Sequence, residues 1–328
     1  MSVSIFKPKL LIVRFGSAFA IALALAMIFG VHAATAEGPG SPAPAVPTLM
    51  TGQQAVATAE GPDQRKGLAG RAADKIQQLR RSIADVFRRV PCSGPKSGTY
   101  LEGSLPHIGK KLAASEPVTI VAFGSSSTAG FGVSSPAFTY PNRLAEQLRR
   151  KFPKAEITVL NRGIGGEEVP QMMKRLQTAV LDAKPDLVIW QVGTNAVIRG
   201  FDPAETEHLI GDGVEQMRAI GADVVLIDPQ YAPQVTAKAQ RANTMVGLIS
   251  RVAHLERVGL FPRFEVMRDW YNTQDDSFTT FTYQDGLHMN DWGYACFAQL
   301  LGDTIIASVT RVQAGIELPQ DVLMFRPM

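Results

Sequence analysis

The chain has 328 residues, of which 33 are basic and 30 acidic, so its formal net charge is only +3. The first 36 residues hold three basic residues and no acidic residue, so the rest of the chain carries 30 charges of each sign. This balance provides no field that would attract nucleic acid, and the five histidines and two cysteines lack the spacing of zinc ligands. We therefore expect no nucleic-acid partner, metal ion or cofactor.

The N-terminal segment has the pattern of a signal peptide. Three basic residues precede an uncharged apolar stretch at residues 15–31. Residues 34–36 (Ala-Thr-Ala) then match the small-x-small cleavage rule, and residues 31–33 offer a second site. We predict that residues 1–36 direct export to the periplasm or the medium. The alternative is an uncleaved inner-membrane anchor, since about 17 apolar residues lie at the lower limit of a membrane span.

Two segments of different character follow. Residues 37–62 are rich in Pro, Ala, Gly and Thr, which predicts a disordered linker. Residues 63–90 predict an amphipathic helix with one apolar and one basic face. This helix either contacts an anionic envelope surface, or is a solvated helix that packs on a neighbour or self-associates. Residues 91–116 connect it to a folded domain.

From residue 117 onward, apolar runs alternate with helical patterns. Strands are predicted at residues 118–123, 157–160, 187–192 and 224–227, and helices at residues 141–152, 169–183, 205–220, 236–258 and 292–308. Repeated strand–helix units of this length require a parallel sheet with helices on both faces. We assign them to one domain at residues 117–310, followed by a C-terminal extension at residues 311–328.

Four short polar motifs occur in this domain. They are Gly124-Ser125-Ser126, residues 161–166 (Asn-Arg-Gly-Ile-Gly-Gly), Gly193-Thr194-Asn195 and Asp285-Gly286-Leu287-His288. Each of the first three follows a predicted strand. Open α/β sheets bind ligands at the loops that leave the carboxyl ends of their strands. The motifs therefore predict a functional site.

In these motifs the chain resembles the SGNH family, also called GDSL-type esterases and acylhydrolases, over residues 117–301. The matching residues are Ser126, Gly166, Asn195 and His288, with Asp285 in the last motif. The resemblance implies a three-layer α/β/α sandwich with a central parallel sheet, flavodoxin-like in outline. It also implies a carboxylic ester hydrolase.

The resemblance implies a role for each matching residue. Ser126 would be the nucleophile and His288 its general base. Asp285 lies three residues before His288, so it can accept the Nδ1 proton and leave Nε2 to face Ser126. The backbone N–H groups of Ser126 and Gly166 and the side chain of Asn195 would form the oxyanion hole.

Two positions depart from the family's pattern. Ser125 stands where the family has the Asp of Gly-Asp-Ser, and Ala196 stands where an Asp usually follows Gly-x-Asn. Neither carboxylate belongs to the triad, so we expect the chemistry to persist with altered bracing of the loops. Two other interpretations are a catalytically degenerate glycan-binding protein and a hydroxyl-rich loop that binds the phosphate of FMN. The FMN interpretation leaves Asp285 and His288 without a role.

Several side chains near the motifs are candidates for a substrate pocket. Gln230 and Tyr231 follow the fourth predicted strand, and Trp270 and Tyr283 precede the Asp-His motif. We expect Gln230 and Tyr231 to border the cleft. The rings of Trp270 and Tyr283 suit an acyl pocket or a sugar ring, and packing of the loop on itself is the alternative.

Similar local patterns elsewhere are interpreted as structural. His208 follows Glu205 at the same spacing as the Asp-His pair, but in a polar helix, which indicates a solvated surface. Gly163 and Gly165 are interpreted as residues of a mobile turn.

The two cysteines, Cys92 and Cys296, can pair in an exported protein and tie the connecting segment to the last helix. Two unpaired thiols are the alternative.

The predicted function is that of a serine esterase that acts through an acyl-enzyme. Export makes an acylated envelope or extracellular glycan, or a related small ester, the expected substrate, with removal of acetyl groups as the first choice. An O-acyltransferase that uses the same triad to acylate a glycan is the alternative.

Overall fold

The structure is a computed structural model that describes residues 88–92, 94, 101, 104–200, 202–273 and 276–315. The predicted signal peptide and linker lie outside these residues, as do residues 63–87 of the predicted basic helix. Residues 316–328 of the C-terminal extension also lie outside. The predicted α/β domain lies almost entirely inside.

A five-stranded parallel sheet forms the centre of the domain, in the order β2-β1-β3-β4-β5. Its strands are β1 (Val118–Gly124), β2 (Ile157–Gly163), β3 (Leu187–Gln191), β4 (Asp223–Ile227) and β5 (Gly259–Phe261). This is the flavodoxin-like order, in which the direction of winding reverses between β1 and β3. The loops that follow β1 and β3 therefore leave the sheet side by side.

Helices connect the strands and cover both faces of the sheet. They are α1 (Pro106–Ala113), α2 (Ser126–Ala129), α3 (Tyr140–Lys151), α4 (Val169–Lys174), α5 (Leu176–Ala179), α6 (Thr194–Arg199), α7 (Pro203–Ala219), α8 (Pro233–Thr236), α9 (Ala239–Leu255), α10 (Arg263–Thr273) and α11 (Asp291–Gln313). Short 3₁₀ helices occur at Pro136–Phe138 and Leu181–Ala183.

Alternate residues of each strand enter two separate apolar cores. Ile120 and Ala122 of β1 pack with α1, α3, α10 and α11, whereas Val121 and Phe123 pack with α4, α7 and α9 on the opposite face. Side chains alternate along a strand, so a sheet covered on both faces needs apolar residues at nearly every strand position. This packing confirms the predicted three-layer sandwich.

Some elements differ from the predicted ones. β5 has no predicted counterpart because it contains only three residues, too few to show the alternation of a strand. The predicted helix at residues 169–183 is instead α4, α5 and a 3₁₀ turn, since the chain leaves helical geometry at Arg175. Nε of Arg175 donates a hydrogen bond to Oε2 of Glu167, which holds the arginine side chain at the point where the helix is interrupted.

The longest helix, α11, forms much of one core. Its length and apolar composition would suit a membrane span, but 61% of its most apolar stretch of 18 residues is buried inside the domain. It packs against α3 and α1. Its burial therefore explains its apolar composition without a membrane.

The segment before the domain is attached to α11. A disulfide joins Cys92 to Cys296, which is the predicted pairing and excludes the alternative of two free thiols. The side chain of Gln299 also exchanges hydrogen bonds with the backbone of Val90, at 3.1 and 3.3 Å. These contacts hold residues 88–92 against the last helix.

Candidate active site

Four loops meet at the carboxyl edge of the sheet, where the strand order reverses. Ser126 follows β1, Gly166 follows β2 and Asn195 follows β3. The fourth loop precedes α11 and carries Asp285 and His288. Ser126 and His288 are 162 positions apart in the sequence, yet their side chains are hydrogen-bonded.

Asp285, His288 and Ser126 form one continuous chain of hydrogen bonds. Oδ2 of Asp285 lies 2.6 Å from Nδ1 of His288, and Nε2 of His288 lies 2.7 Å from Oγ of Ser126. When Nδ1 carries the imidazole proton, it donates to Asp285 and leaves Nε2 to accept the proton of Ser126. The geometry thus suits nucleophilic catalysis by Ser126.

The loop of Asp285 also fixes its carboxylate. Oδ1 accepts from the backbone N–H groups of Leu287 and His288, each at 3.0 Å. Burial alone would raise the pKa of Asp285, but the hydrogen bonds from the His288 side chain and these two amides outweigh it and hold the pKa below its ordinary value. Asp285 is therefore ionised at neutral pH and can stabilise a protonated His288.

Close backbone packing positions Ser126, the first residue of α2. Any side chain at Gly124 would collide with Thr128, so glycine permits the tight turn after β1. A side chain at Gly163 of β2 would collide with the backbone of Ala129. Gly163 is therefore a close-packing position, and its interpretation as a mobile turn is wrong.

The loop after β2 passes beside the nucleophile. A Cβ atom at Gly165 would lie 3.9 Å from Cβ of Ser126. Gly166 has a φ angle of +78°, which other residues adopt only with strain. Nδ2 of Asn195 donates to the carbonyl of Glu167 at 2.8 Å, which ties the two candidate oxyanion residues together. The second hydrogen of that amide is available for a substrate oxygen.

Two arginines brace the same loop. Nη1 of Arg199 donates to the carbonyl of Gly166 and to Oε1 of Glu168, both at 2.8 Å. Arg175 forms an ion pair with Glu167 at 2.5 Å. A loop fixed in this way can present its donors to an oxyanion without reorganisation during the reaction.

The two positions that depart from the GDSL-type pattern, Ser125 and Ala196, are both buried. The backbone N–H and the hydroxyl of Ser125 both donate to Oε1 of Gln191, at 3.1 and 3.0 Å. Ala196, a residue of α6, is buried and packs in the core on that face of the sheet. The turn before the nucleophile is therefore braced by a neutral amide at the end of β3.

Two of the four predicted pocket residues are buried, so their assignment is wrong. Gln230 and Trp270 are each only 1% exposed. Trp270 packs edge-on against Phe281 and Trp292. The side-chain oxygen and nitrogen of Gln230 form hydrogen bonds with the loops of the site, so this side chain does not line a cleft.

Tyr231 belongs to an aromatic cluster with Phe264, Tyr271 and Phe278. Its ring is stacked on that of Phe278, with centroids 5.6 Å apart. The ring of Tyr231 thus packs on aromatic residues of α10 and of the loop that follows it.

Phe131 lies at the site and was not identified from the sequence. Its ring centroid is 4.4 Å from that of His288 and 6.3 Å from that of Tyr283. Phe131 is 54% exposed and Tyr283 is 36% exposed, so both rings are accessible to a substrate. The sequence signal was a large apolar residue next to Gly130, in a loop that is otherwise small and polar.

His208, which has the same local spacing to an acidic residue as His288, does not belong to a buried site. The side chain of His208 is 76% exposed and lies 3.4 Å from Asp212, as the interpretation of a solvated helix surface requires. In the part of the chain that the structure describes, no three His, Cys, Asp or Glu side chains are grouped to hold a metal ion.

Comparison with known proteins agrees with this fold. The model of the non-GDSL lipase-like family matches residues 91–311. The esterase TesA of Pseudomonas aeruginosa is 27% identical over 149 residues, which cover 44% of this chain and 70% of that protein.

Two solved structures share the fold. A two-domain esterase active on acetylated mannans, co-crystallised with mannopentaose, has a TM-score of 0.57 at 22% identity, over 70% of this chain and 60% of that one. An acetylxylan esterase from Geobacillus stearothermophilus, in the form of a catalytic mutant, has a TM-score of 0.51 at 19% identity, over 57% of this chain and 94% of that one.

We expect His288→Ala to abolish nearly all turnover of p-nitrophenyl acetate, because Nε2 of His288 is placed to accept the proton of Ser126. Asp285→Asn should be less damaging but still lower kcat by as much as about 10⁴-fold, since the imidazole loses its orienting partner. His208→Ala is the matched control and should retain wild-type rates. A larger loss in His208→Ala than in His288→Ala would contradict the assignment.

We expect Asn195→Ala to lower kcat by roughly 10²–10³-fold with little change in KM, because an oxyanion donor contributes most in the transition state. Steady-state kinetics with p-nitrophenyl acetate measure both constants. Asn243→Ala, at an exposed position of α9, serves as the control. Equal activity of the two variants would remove Asn195 from the oxyanion hole.

Proposed function

The chain belongs to the non-GDSL lipase-like family of SGNH-type carboxylic ester hydrolases, and we propose that it is an exported serine esterase. Its reaction would remove small acyl groups, above all acetyl, from a glycan. The glycan would belong to the cell envelope or its surroundings, and related small esters would also react. The observation that carries the proposal is the continuous chain of hydrogen bonds from Asp285 through His288 to Ser126.

In the first half of the proposed reaction, Oγ of Ser126 attacks the ester carbonyl carbon while its proton moves to Nε2 of His288. The carbonyl oxygen becomes an anion, stabilised by the N–H groups of Ser126 and Gly166 and by Nδ2 of Asn195. The bond to the leaving oxygen then breaks, and His288 gives its proton to that oxygen. The alcohol departs and the acyl group remains on Ser126.

In the second half, a water molecule gives a proton to His288 and attacks the acyl carbon. The second tetrahedral intermediate releases Oγ of Ser126, which takes the proton back, and the carboxylic acid leaves. A sugar hydroxyl in place of water would make the protein a glycan O-acyltransferase. A degenerate binding protein has no need of a 2.7 Å bond between Nε2 and Oγ, so the geometry favours an enzyme.

The exposed rings support a sugar as the leaving group. His288 protonates the departing oxygen, so the alcohol part of the ester lies on the His288 side of the site. Phe131 and Tyr283 are the accessible rings on that side. An aromatic face packs well against the C–H face of a sugar ring, so we assign Phe131 and Tyr283 to binding of the first sugar.

The disulfide supports export, since disulfides persist in oxidising compartments such as the periplasm. Intact-mass measurement of protein from the periplasm should give an N-terminus near residue 34 or 37 and a mass gain on reduction and alkylation. An N-terminus at Met1 would instead favour the membrane anchor, and alkylation without prior reduction would contradict the bridge.

We expect Phe131→Ala to raise KM for an acetylated xylo- or manno-oligosaccharide by about three- to tenfold, the equivalent of one aromatic contact, while KM for p-nitrophenyl acetate changes less. Released acetate is measured with Ser126→Ala as the blank, and Leu255→Ala is the control at an exposed apolar position on the remote helix α9. Equal effects of Phe131→Ala on both substrates would contradict a sugar site at this ring.

The same assay with an added, unacetylated oligosaccharide separates hydrolysis from transfer. Formation of acetylated acceptor in place of free acetate would make acyl transfer the principal reaction. Wild-type protein that is neither labelled by a fluorophosphonate at Ser126 nor active on any ester would support the binding-protein alternative.

A further inference from the structure

Gln230 connects three loops of the site from within the protein. It follows β4 and is almost completely buried. We propose that Gln230 is a positioning residue that sets the distance between the nucleophile and its base, an inference that rests on the proposed serine mechanism. Its side-chain hydrogen bonds go to Ser127 and Leu287, the chain neighbours of Ser126 and His288, and it would act through them.

The hydrogen bonds of Gln230 reach a neighbour of each site residue. Its Oε1 accepts from Oγ of Ser127 at 2.7 Å, and its Nε2 donates to the carbonyl of Leu287 at 2.6 Å. Its backbone N–H donates to Oγ1 of Thr194 at 3.4 Å. Ser127 follows the nucleophile, Leu287 precedes the base, and Thr194 precedes Asn195.

Such a connection is needed because the triad is built from two separate parts of the chain. Asp285 and His288 are three residues apart, so their mutual orientation is fixed within one loop. The position of this pair relative to Ser126 is not fixed locally. Gln230 supplies a buried link between the two parts, in addition to the bond between His288 and Ser126, and its burial keeps water from competing for that link.

A primary amide suits this place chemically. The link must accept a hydrogen bond from a hydroxyl at one end and donate one to a carbonyl at the other. A neutral amide does both, whereas a carboxylate only accepts and an ammonium group only donates. Asn carries the same amide on a side chain one methylene shorter, so Gln is the residue that combines this pattern with this reach.

The backbone from which the side chain of Gln230 extends is itself held in place by buried hydrogen bonds. Thr194 Oγ1 also accepts from Nη2 of Arg263 at 3.2 Å, and Arg263 is completely buried. Nε of Arg263 donates to the carbonyl of Asp228, two residues before Gln230. The backbone of Gln230 is therefore held by β4 and α10, and its side chain transmits that position to the loops above.

Gln234 provides a matched control. Its Nε2 donates to the carbonyl of Asp285 at 2.9 Å, so it contacts the same loop as Gln230. This contact is exposed, and within the described residues it joins that loop to α8 and not to the turn of Ser126. Gln234→Ala therefore tests whether the loop is sensitive to the loss of any hydrogen bond.

The experiment compares Gln230→Met, Ser127→Ala, the double variant and Gln234→Ala. Because displacement of a reacting group by about 1 Å can cost 10²-fold, we expect Gln230→Met to lower kcat and the rate of fluorophosphonate labelling by roughly 10- to 100-fold with little change in KM. Ser127→Ala should lose less, and Gln234→Ala should stay within about twofold of wild type, as expected of an exposed contact.

The bond between Ser127 and Gln230 is already lost in Gln230→Met, so the double variant should be no slower than Gln230→Met. Additive losses would contradict a shared link. The proposal would also be overturned if Gln230→Met were labelled by the fluorophosphonate at the wild-type rate. Equal losses of kcat in Gln234→Ala and Gln230→Met would overturn it as well.

Proton NMR separates a shift between loops from collapse of the site. The low-field signal of the proton between Asp285 and His288 should persist in Gln230→Met, because that pair belongs to one loop. Loss of this signal together with a fall in the melting temperature would show a merely structural role and overturn the inference. Wild-type activity that survives in Ser126→Ala would instead refute the serine mechanism, so the two failures are distinguishable.

Discussion

The position of Ser126 depends on how closely its turn packs against the ends of β2 and β3. On one side, the backbone of Ala129 lies against Gly163, and Nδ2 of Asn161 donates to the carbonyl of Thr128 at 2.8 Å. On the other side, Oε1 of Gln191 accepts from Ser125. A turn confined in this way has no room to adjust its Oγ atom to a base placed elsewhere. The other loops must therefore be brought to the nucleophile, and the buried amides of Gln191 and Gln230 contribute hydrogen bonds that do so.

The charge around the oxyanion loop is balanced locally. Two acidic residues, Glu167 and Glu168, directly follow Gly166, and unpaired carboxylates there would oppose a negative charge that develops on the substrate oxygen. Each is paired with an arginine, at 2.5 and 2.8 Å respectively. Burial raises the pKa of Glu168, and the bond from Arg199 opposes that rise. Ser125 and Ala196, where the GDSL-type pattern has carboxylates, also add no negative charge near the oxyanion loop. The neutral amide of Gln191 braces the turn instead. These departures are thus compatible with an active site.

The parts that could be predicted from the sequence are those specified by local pattern. Apolar runs predicted four of the five strands, and a spacing of three residues was enough to pair Asp285 with His288. β5 was missed because three residues give no period. The role of Gln230 was missed for a different reason: its three bonds reach loops that lie 36 to 103 positions away in the sequence, and no local pattern encodes them. Trp270 was assigned to a pocket because an aromatic residue near a motif has the same appearance in sequence whether it faces the cleft or the core.

The choice between water and a sugar hydroxyl in the second half of the proposed reaction depends on access, not on the triad. His288 must accept the proton of the attacking group, so that group approaches from the side on which the first alcohol left. The rings of Phe131 and Tyr283 border this approach and are open to solvent. A sugar that leaves these rings quickly admits water, and the acyl group is hydrolysed. A sugar that stays on them excludes water and keeps a hydroxyl next to the acyl-enzyme. Esterase and acyltransferase on this scaffold would therefore differ in how long the leaving sugar remains bound, while Ser126, His288 and Asp285 perform the same steps in both.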